Sequence, residues 1–304
     1  MNVTGEVGTG EFASLPPRGR EGPEPYSALI RVDLAGRSHP GLVRGNNEDH
    51  FLVCRFGRFL ETLQTNLPPD AVPPRAEEGG YGMVVADGMG GVVAGEEASR
   101  LAISTLVNLV LHTPDWILRL DEEPLPEEVR RRAAERYGQV NQVLAREAEE
   151  VPGLTGFGTT MTMACSLGRE LFVTHLGDSR AYLFRGGRLR QLTRDHTLAE
   201  ALADQQLIDR KEAATHRLRH VLTQFLGHHA QKTQPDVVQA TLEDGDCLLL
   251  CTDGLTEMVA NEAIAEVLGG GAPAQSACQQ LVDRALKAGG RDNVTAVVAR
   301  YRLP

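Results

Sequence analysis

Four aspartates occupy positions where an apolar run gives way to a turn, and this placement is the strongest chemical signal in the sequence. They are Asp87 in VVADG, Asp178 in THLGDS, Asp253 in LLLCTDG and Asp292 in GGRDN. A single aspartate of this kind is typical of a turn or a helix N-cap. Four at the edge of one sheet would repel one another unless cations neutralised them. The pattern therefore favours a site for divalent cations at the rim of a sheet.

Residues 81–99, YGMVVADGMGGVVAGEEAS, indicate how such a site could be built. Apolar residues 83–86 predict a buried strand that ends at Asp87. Gly88 would let the backbone turn sharply and leave its own carbonyl oxygen unobstructed. A carboxylate beside a bare carbonyl offers the oxygen ligands that suit Mg²⁺ or Mn²⁺ rather than Zn²⁺. Taken alone, the stretch is more simply interpreted as a strand-to-helix turn with Asp87 as the helix N-cap.

Composition limits the classes of protein to which the chain can belong. Its 304 residues are 41% hydrophobic, which is enough for one large domain or two small ones. The formal net charge of −10 argues against partners such as nucleic acid or an anionic membrane. No run approaches transmembrane length, residues 1–27 lack the apolar segment of a signal peptide, and the five cysteines show no CxxC spacing. We expect a cytoplasmic protein with reduced thiols and, with no coiled-coil seam evident, a monomer.

Periodicity predicts strands and helices that come in groups. Residues 1–26 are rich in Gly, Pro and Glu and predict a flexible tail, and the proline-rich residues 57–80 predict a long loop between two strands. Strand patterns cover 27–35, 50–56, 83–86, 158–192, 236–252 and 294–301. Helical patterns cover 96–112, 126–150, 261–268 and 273–288. Because the helices come in pairs, the pattern favours an α+β fold with an antiparallel sandwich over a doubly wound parallel sheet.

Seven motifs in order resemble those of the metal-dependent Ser/Thr protein phosphatases of type 2C, the PPM family. They are VRGNNED, VADGMGG, GFGTTMT, LGDSRAYL, TRDHT, CTDGLTEMV and GGRDNVT. The match covers roughly residues 27–302 and is most similar to the bacterial single-domain branch. The resemblance implies a central antiparallel β-sandwich with paired helices on both outer faces, a four-layer αββα arrangement. It also implies a catalytic domain over 27–304 with a mobile flap at 197–227.

The resemblance also assigns metal ligands to matching positions. The direct ligands of a two-metal centre at one end of the sandwich match Asp87, Asp253 and Asp292. A backbone-carbonyl ligand matches Gly88. Asp49 in NNED matches an acid that holds the metals through bound water, with a turn or N-cap role as its alternative.

Two further positions carry open alternatives. Asp178, together with Asp253, resembles the bacterial site for a third, weaker metal, although a backbone hydrogen bond in its turn is nearly as good an interpretation. Arg44 matches the arginine that grips the substrate phosphate, for which its guanidinium fork is suited, and a surface salt bridge is the alternative. Met89 occupies a position where many eukaryotic members of that family have a histidine proposed as general acid, a departure that bacterial members share. The residues predicted to be catalytic are Arg44, Asp49 and Asp87.

Together these expectations predict hydrolysis of phosphoserine and phosphothreonine in proteins. The cofactors would be two Mn²⁺ or Mg²⁺ ions that lower the pKa of a shared water, or three if the weaker site is also filled. The expected partners are phosphorylated proteins, either Ser/Thr kinases or their substrates. Two alternatives stay open: a pseudophosphatase that acts as a regulatory binding module, and a phosphatase for an anti-anti-sigma-type regulator in partner switching.

Overall fold

Two antiparallel sheets form the centre of the protein, seen in a computed structural model that describes residues 30–68, 71–91, 94–112, 125–151, 156–227 and 233–303. The first sheet contains β1 (Arg31–His39), β7 (Arg180–Arg185), β8 (Arg188–Gln191), β10 (Cys247–Cys251) and β11 (Val294–Arg302). Its five strands lie in the order β1-β11-β10-β7-β8. The tail predicted over 1–26 lies outside the described residues.

The second sheet lies face to face with the first. It contains β2 (Asp49–Glu61), β3 (Arg75–Met89), β4 (Gly158–Thr159), β5 (Met161–Leu167), β6 (Glu170–Leu176) and β9 (Asp236–Thr241). The strand order is β2-β3-β5-β6-β9, and the short β4 pairs with the end of β3. Along β3, Met83 and Val85 pack between the sheets, whereas Val84 and Ala86 pack under helices. This strand is apolar at every position here because both of its faces are buried.

Helices cover the outer face of each sheet. Packed on the second sheet are α1 (Ala94–His112) and α2 (Leu125–Glu150), and packed on the first are α6 (Asn261–Gly269) and α7 (Ala274–Lys287). The described residues also contain three short helices: α3 (Leu198–Asp204), α4 (Arg210–Ala213) and α5 (Asp253–Thr256). The four-layer α+β arrangement predicted from the sequence is confirmed. Among the described helices, none is long and apolar enough to cross a bilayer.

The loop predicted over 57–80 is wrong in its extent. Strand β2 continues to Glu61 and β3 begins at Arg75, so only residues 62–74 connect them. The prolines are confined to this connection, and the flanking residues pair in an antiparallel ladder. Arg75 lies over the ring of Phe59 at 5.0 Å from its centroid, a cation–π contact that favours this register.

The predicted flap, 197–227, contains α3 and α4; a bridge joins its start to its returning part, and a second bridge ties its end to the body. Thr197 pairs with Leu222 in one isolated bridge, and Leu226 pairs with Thr159 beside the end of β3. Leu226 is fully buried in the cluster under α1 and α2. The segment therefore begins and ends next to the carboxylate-bearing edge of the sandwich.

All five cysteines are free thiols, as predicted. Cys247 and Cys251 are buried in β10, whereas Cys54 and Cys165 are only half-buried. Both lie beside Gly82 on neighbouring strands, and glycine covers less of them than a larger side chain would.

Candidate active site

One cavity of about 760 Å³ brings the predicted site residues together. Six of them line it: Arg44, Asp87, Gly88, Asp178, Asp253 and Asp292. The seventh, Asp49, is the antiparallel partner of Asp87 and lies buried next to it. Residues from five separate parts of the chain thus meet at one edge of the sandwich.

Antiparallel pairing explains why these aspartates converge. The first residue of β2, Asp49, pairs with Asp87 near the end of β3. The last residue of β10 pairs with the third residue of β11. Asp253, just after β10, and Asp292, just before β11, therefore lie at the same edge. Sequence placed Asp87 at the strand's end, and the structure places it two residues inside β3.

Asp49 is a buried acid with half of its carboxylate satisfied. Its side chain is 3% exposed, and Oδ2 accepts hydrogen bonds from Thr252 Oγ1 at 2.8 Å and Thr295 Oγ1 at 2.7 Å. Among the described residues Oδ1 has no hydrogen-bond partner. Burial raises the pKa of Asp49 to about 7 despite the two hydroxyl donors. An orphaned buried carboxylate oxygen is what a cation, or water bound to one, would satisfy, and neither a turn nor an N-cap explains it.

Both backbone polar groups of Asp87, its N–H and its C=O, are hydrogen-bonded. Its N–H donates to Thr160 Oγ1 at 3.1 Å, and its carbonyl oxygen accepts from Thr160 N at 2.9 Å and Thr159 Oγ1 at 2.8 Å. Burial is the main reason that the pKa of Asp87 lies well above its ordinary value, followed by the charges of Asp49 and Asp253. The carboxyl of Asp87 thus lies among other negatively charged carboxylates.

The other carboxyls belong to the same electrostatic cluster. Burial raises the pKa of Asp253 to about 6, and the charge of Asp292 adds to the rise. Burial also raises the pKa of Asp178, with the charge of Asp253 as the next cause. Like charges gathered in a partly dry site favour cations that would offset them.

Gly88 is required for close packing and does not make the sharp turn predicted for it. It lies within β3, where a Cβ would come 1.9 Å from the Gly95 carbonyl oxygen. The positive φ angles that turn the chain belong to Gly90 (120°) and Gly91 (89°). A larger residue at position 88 would push the start of α1 away from the cavity.

Arg44 lies at the mouth of the cavity and pairs with a predicted metal ligand. Its Nη2 is 2.7 Å from Asp292 Oδ2, with the two side chains 54% and 39% exposed. The salt-bridge alternative and the cavity position are therefore both present. Within the described ranges, no three His, Cys, Asp or Glu side chains converge closely enough to hold a metal ion as they lie. The oxygen donors that line the cavity are nevertheless of the type that Mg²⁺ and Mn²⁺ prefer.

Several cavity residues were missed by the sequence interpretation. The additional charged lining residues are Glu48, Arg219, His220, Glu257 and Arg291. Glu48 stands next to Asp49 in NNED, and Glu257 lies one helical turn beyond Asp253, so both carried a local signal. His220 reaches to 3.9 Å from Asp253 Oδ2 out of the flap, and only the three-dimensional path of the chain reveals it. The threonines that hold Asp49 and Asp87 lie within the motifs GFGTTMT, CTDGLTEMV and GGRDNVT, but their hydrogen bonds to these aspartates were not predicted.

Comparisons with known proteins agree with this geometry. The model of the protein phosphatase 2C family matches residues 91–294. The serine/threonine protein phosphatase PstP of Mycobacterium tuberculosis is 38% identical over 277 residues, covering 89% of this chain and 46% of PstP. The chain thus spans about half the length of that relative. The serine/threonine phosphatase stp of Listeria monocytogenes is 32% identical over 221 residues, or 73% of this chain and 84% of stp.

Solved structures give the same result. The catalytic domain of PstP, in complex with two manganese ions, superimposes with a TM-score of 0.67 at 32% identity, covering 90% of this chain and 99% of that one. A serine/threonine phosphatase from S. agalactiae superimposes with a TM-score of 0.69 at 29% identity, covering 90% and 100%. Sequence, fold and site composition agree, and the chain belongs to the protein phosphatase 2C family.

Proposed function

We propose that this chain is a metal-dependent protein phosphatase that hydrolyses phosphoserine and phosphothreonine in proteins. The observation that carries the proposal is the meeting of four aspartates from distant parts of the chain in one open cavity with Arg44 at its mouth. Phosphate-ester hydrolysis is extremely slow without a catalyst, so strong stabilisation of charge is needed. The carboxylates at the cavity rim can bind cations, and those cations together with the Arg44 guanidinium can stabilise negative charge on the phosphate.

The chain's own residues are suited to hold two divalent ions. Asp87, Asp253 and Asp292 would bind them directly, with the Gly88 carbonyl, and Asp49 would act from beneath through its orphaned Oδ1. The related PstP domain, whose structure contains two manganese ions, supports this number. A third ion would use Asp178 with Asp253. When bound, such ions would acidify a water molecule and offset the charge of the phosphate.

Arg44 would bind the substrate phosphate. Its planar guanidinium can donate two parallel hydrogen bonds to a phosphate, which a lysine cannot do. Because the Arg44–Asp292 ion pair is exposed, breaking it costs little free energy. A phosphate dianion can then replace Asp292 as the partner of the Arg44 guanidinium. Thr160 would keep the Asp87 backbone in place while the cavity fills.

The residues present do not support the pseudophosphatase alternative. A pseudophosphatase would require the loss of a metal acid, whereas Asp49, Asp87, Asp253 and Asp292 are all present. The partners we propose are phosphorylated Ser/Thr kinases or their substrates. Comparing turnover of a phosphorylated kinase activation loop with that of a phosphorylated anti-anti-sigma-type regulator would decide between general and partner-switching roles. A cytoplasmic location and a monomeric state stay predictions from the sequence.

Replacement of Asp87 tests the function. We expect Asp87→Asn to lower Mn²⁺-dependent hydrolysis of p-nitrophenyl phosphate and of a phosphothreonine peptide by more than about 100-fold, since it removes a direct ligand rather than a supporting group. Asp244→Asn is the matched control, because Asp244 is exposed in the turn at the opposite end of β10. Unchanged turnover in the Asp87 variant would reject the site.

A further inference from the structure

His196 makes two hydrogen bonds with Gly177, the residue before Asp178. The backbone N–H of His196 donates to the Gly177 carbonyl at 2.7 Å. The N–H of Gly177 in turn donates to Nδ1 of the His196 ring at 3.1 Å. The side chain of His196 is only 10% exposed. The ring and the backbone of His196 therefore bind both backbone polar groups of Gly177, its N–H and its C=O.

These contacts define the state of the ring. Because Gly177 N–H can only donate, Nδ1 of His196 carries no proton and the proton lies on Nε2. Nε2 then donates to Asp236 Oδ2 at 3.2 Å, and this bond is the main cause that lowers the pKa of Asp236. The ring also stacks on His175, with centroids 4.9 Å apart. The imidazole is thus fixed at both nitrogens and on one face.

The Gly177 turn is wedged against the residue that orients Asp87. Gly177 has φ +114°, and a Cβ there would come 2.5 Å from Thr160 Cβ. Thr160 hydrogen-bonds both backbone groups of Asp87. The turn that presents Asp178 to the cavity therefore lies between Thr160 on one side and His196 on the other.

The opposite side of His196 holds the returning part of the flap. Its carbonyl oxygen accepts from Thr223 N at 2.8 Å. Beyond this contact Thr197 pairs with Leu222, and Leu222 together with His220 lines the cavity. One residue thus connects the turn that carries Asp178 to the flap segment that faces it.

We propose that His196 is a positioning residue that couples the Gly177–Asp178 turn to the flap at 220–226, so that both reach the cavity in register. Its effect on catalysis rests on the proposed function, whereas its structural effect does not. The imidazole touches Gly177 and Asp236, and Thr223 contacts only the backbone of His196. Coupling therefore means that removing the ring loosens Thr223 as well as Gly177.

Hydrogen exchange of the metal-free protein tests this coupling. We expect His196→Ala to speed amide exchange at both Gly177 and Thr223 by at least about 10-fold, because a ring contact that fixes the turn is lost. His196→Asn should restore protection, since its side-chain oxygen can accept from Gly177 N–H in place of Nδ1. His112→Ala is the control, because His112 lies exposed at the end of α1.

Activity supplies the second readout. His196→Ala should lower kcat/KM for a phosphothreonine peptide by about 10- to 100-fold and raise the Mn²⁺ concentration for half-maximal activity, as loss of a supporting hydrogen bond does at metal sites. His196→Asn should recover most of both. Faster exchange at Gly177 alone, or an Asn variant as impaired as the Ala variant, would overturn the proposal.

Two further arms keep the outcome decisive. If His196→Ala does not fold, Asp236→Ala can be used instead, because it removes only the hydrogen-bond partner of His196 Nε2. We expect it to speed amide exchange at both Gly177 and Thr223, by a smaller factor. Unchanged exchange at both residues would contradict coupling. Failure of the proposed function would appear separately, as wild-type protein without Mn²⁺-dependent turnover. The exchange experiment needs neither metal nor substrate and stands in either case.

Discussion

Buried acidic side chains lie next to both ends of β10, but only those at one end have all their oxygen atoms paired. Before the strand, Asp246 is fully buried and paired with Arg185, at 2.7 Å from Nε and 2.5 Å from Nη2, and it accepts a further bond from Glu243 N. After the strand, Asp49 keeps one oxygen without a partner among the described residues, and Asp253 faces further carboxyls. The first end is satisfied and structural. The second retains an excess of negative charge, which costs stability and is explained by function.

Breaking the satisfied end should have the largest effect on stability. Asp246→Ala removes the buried carboxylate that Arg185 and the Glu243 N–H both bind, leaving Arg185 with Glu243 and the Thr241 carbonyl, and we expect a loss of about 2 kcal/mol in the free energy of unfolding. Urea denaturation measures this, with Asp244→Asn as the exposed control from the same turn. Activity per folded molecule should stay unchanged, because Asp246 lies far from the cavity. A loss below about 1 kcal/mol would mean that the two ends do not differ as described.

The same kind of change at the other end should act in the opposite direction. Asp49→Asn removes a buried charge that burial and the neighbouring carboxyls disfavour, so we expect the protein in EDTA at pH 8 to gain about 1–2 kcal/mol. Its Mn²⁺-dependent activity should nevertheless be lost. Destabilisation comparable to that of Asp246→Ala would show that Asp49 is a structural acid like Asp246.

A third buried group makes the stability of the protein depend on pH. His175 is hydrogen-bonded at both nitrogens, and burial lowers its pKa to about 3. The unfolded chain takes up the proton near the ordinary value of about 6.5, so stability is intact above that pH and is lost as pH falls towards 3. Between pH 6 and pH 5, protonation of His175 in the unfolded chain should lower the free energy of unfolding by about 1 kcal/mol. His175→Gln should show a correspondingly flatter stability profile by urea denaturation, and identical slopes would contradict this.

The exposed pair at the cavity mouth should matter least for stability and much for activity. Arg44→Ala should change the free energy of unfolding by less than about 1 kcal/mol, because the ion pair with Asp292 is exposed. The KM for a phosphothreonine peptide should rise, since the guanidinium would no longer bind phosphate, and Arg44→Lys should recover only part of it. A stability loss above about 2 kcal/mol with normal KM would assign Arg44 a structural role.

The fold was predicted correctly wherever the pattern of apolar and polar residues lay within one continuous segment. The apolar runs and paired helical patterns predicted the sandwich, and the strand-end aspartates predicted the cavity. Sequence failed where partners lie far apart: the hydroxyls that hold Asp49 come from 203 and 246 residues away, and the one that holds Asp87 from 73. The extent of the β2–β3 hairpin and the packing role of Gly88 likewise depend on contacts across strands, which no local pattern contains.

The most direct test of the account is a crystal structure of the protein soaked with Mn²⁺, with anomalous scattering to locate the ions. We predict two strong peaks in the cavity, in contact with Asp87, Asp253, Asp292 and the carbonyl oxygen of Gly88, and a weaker third peak near Asp178. The Arg44–Asp292 contact should be broken or loosened. Absence of anomalous density at this rim, with bound Mn²⁺ elsewhere on the surface, would contradict the assignment of these aspartates as a metal centre.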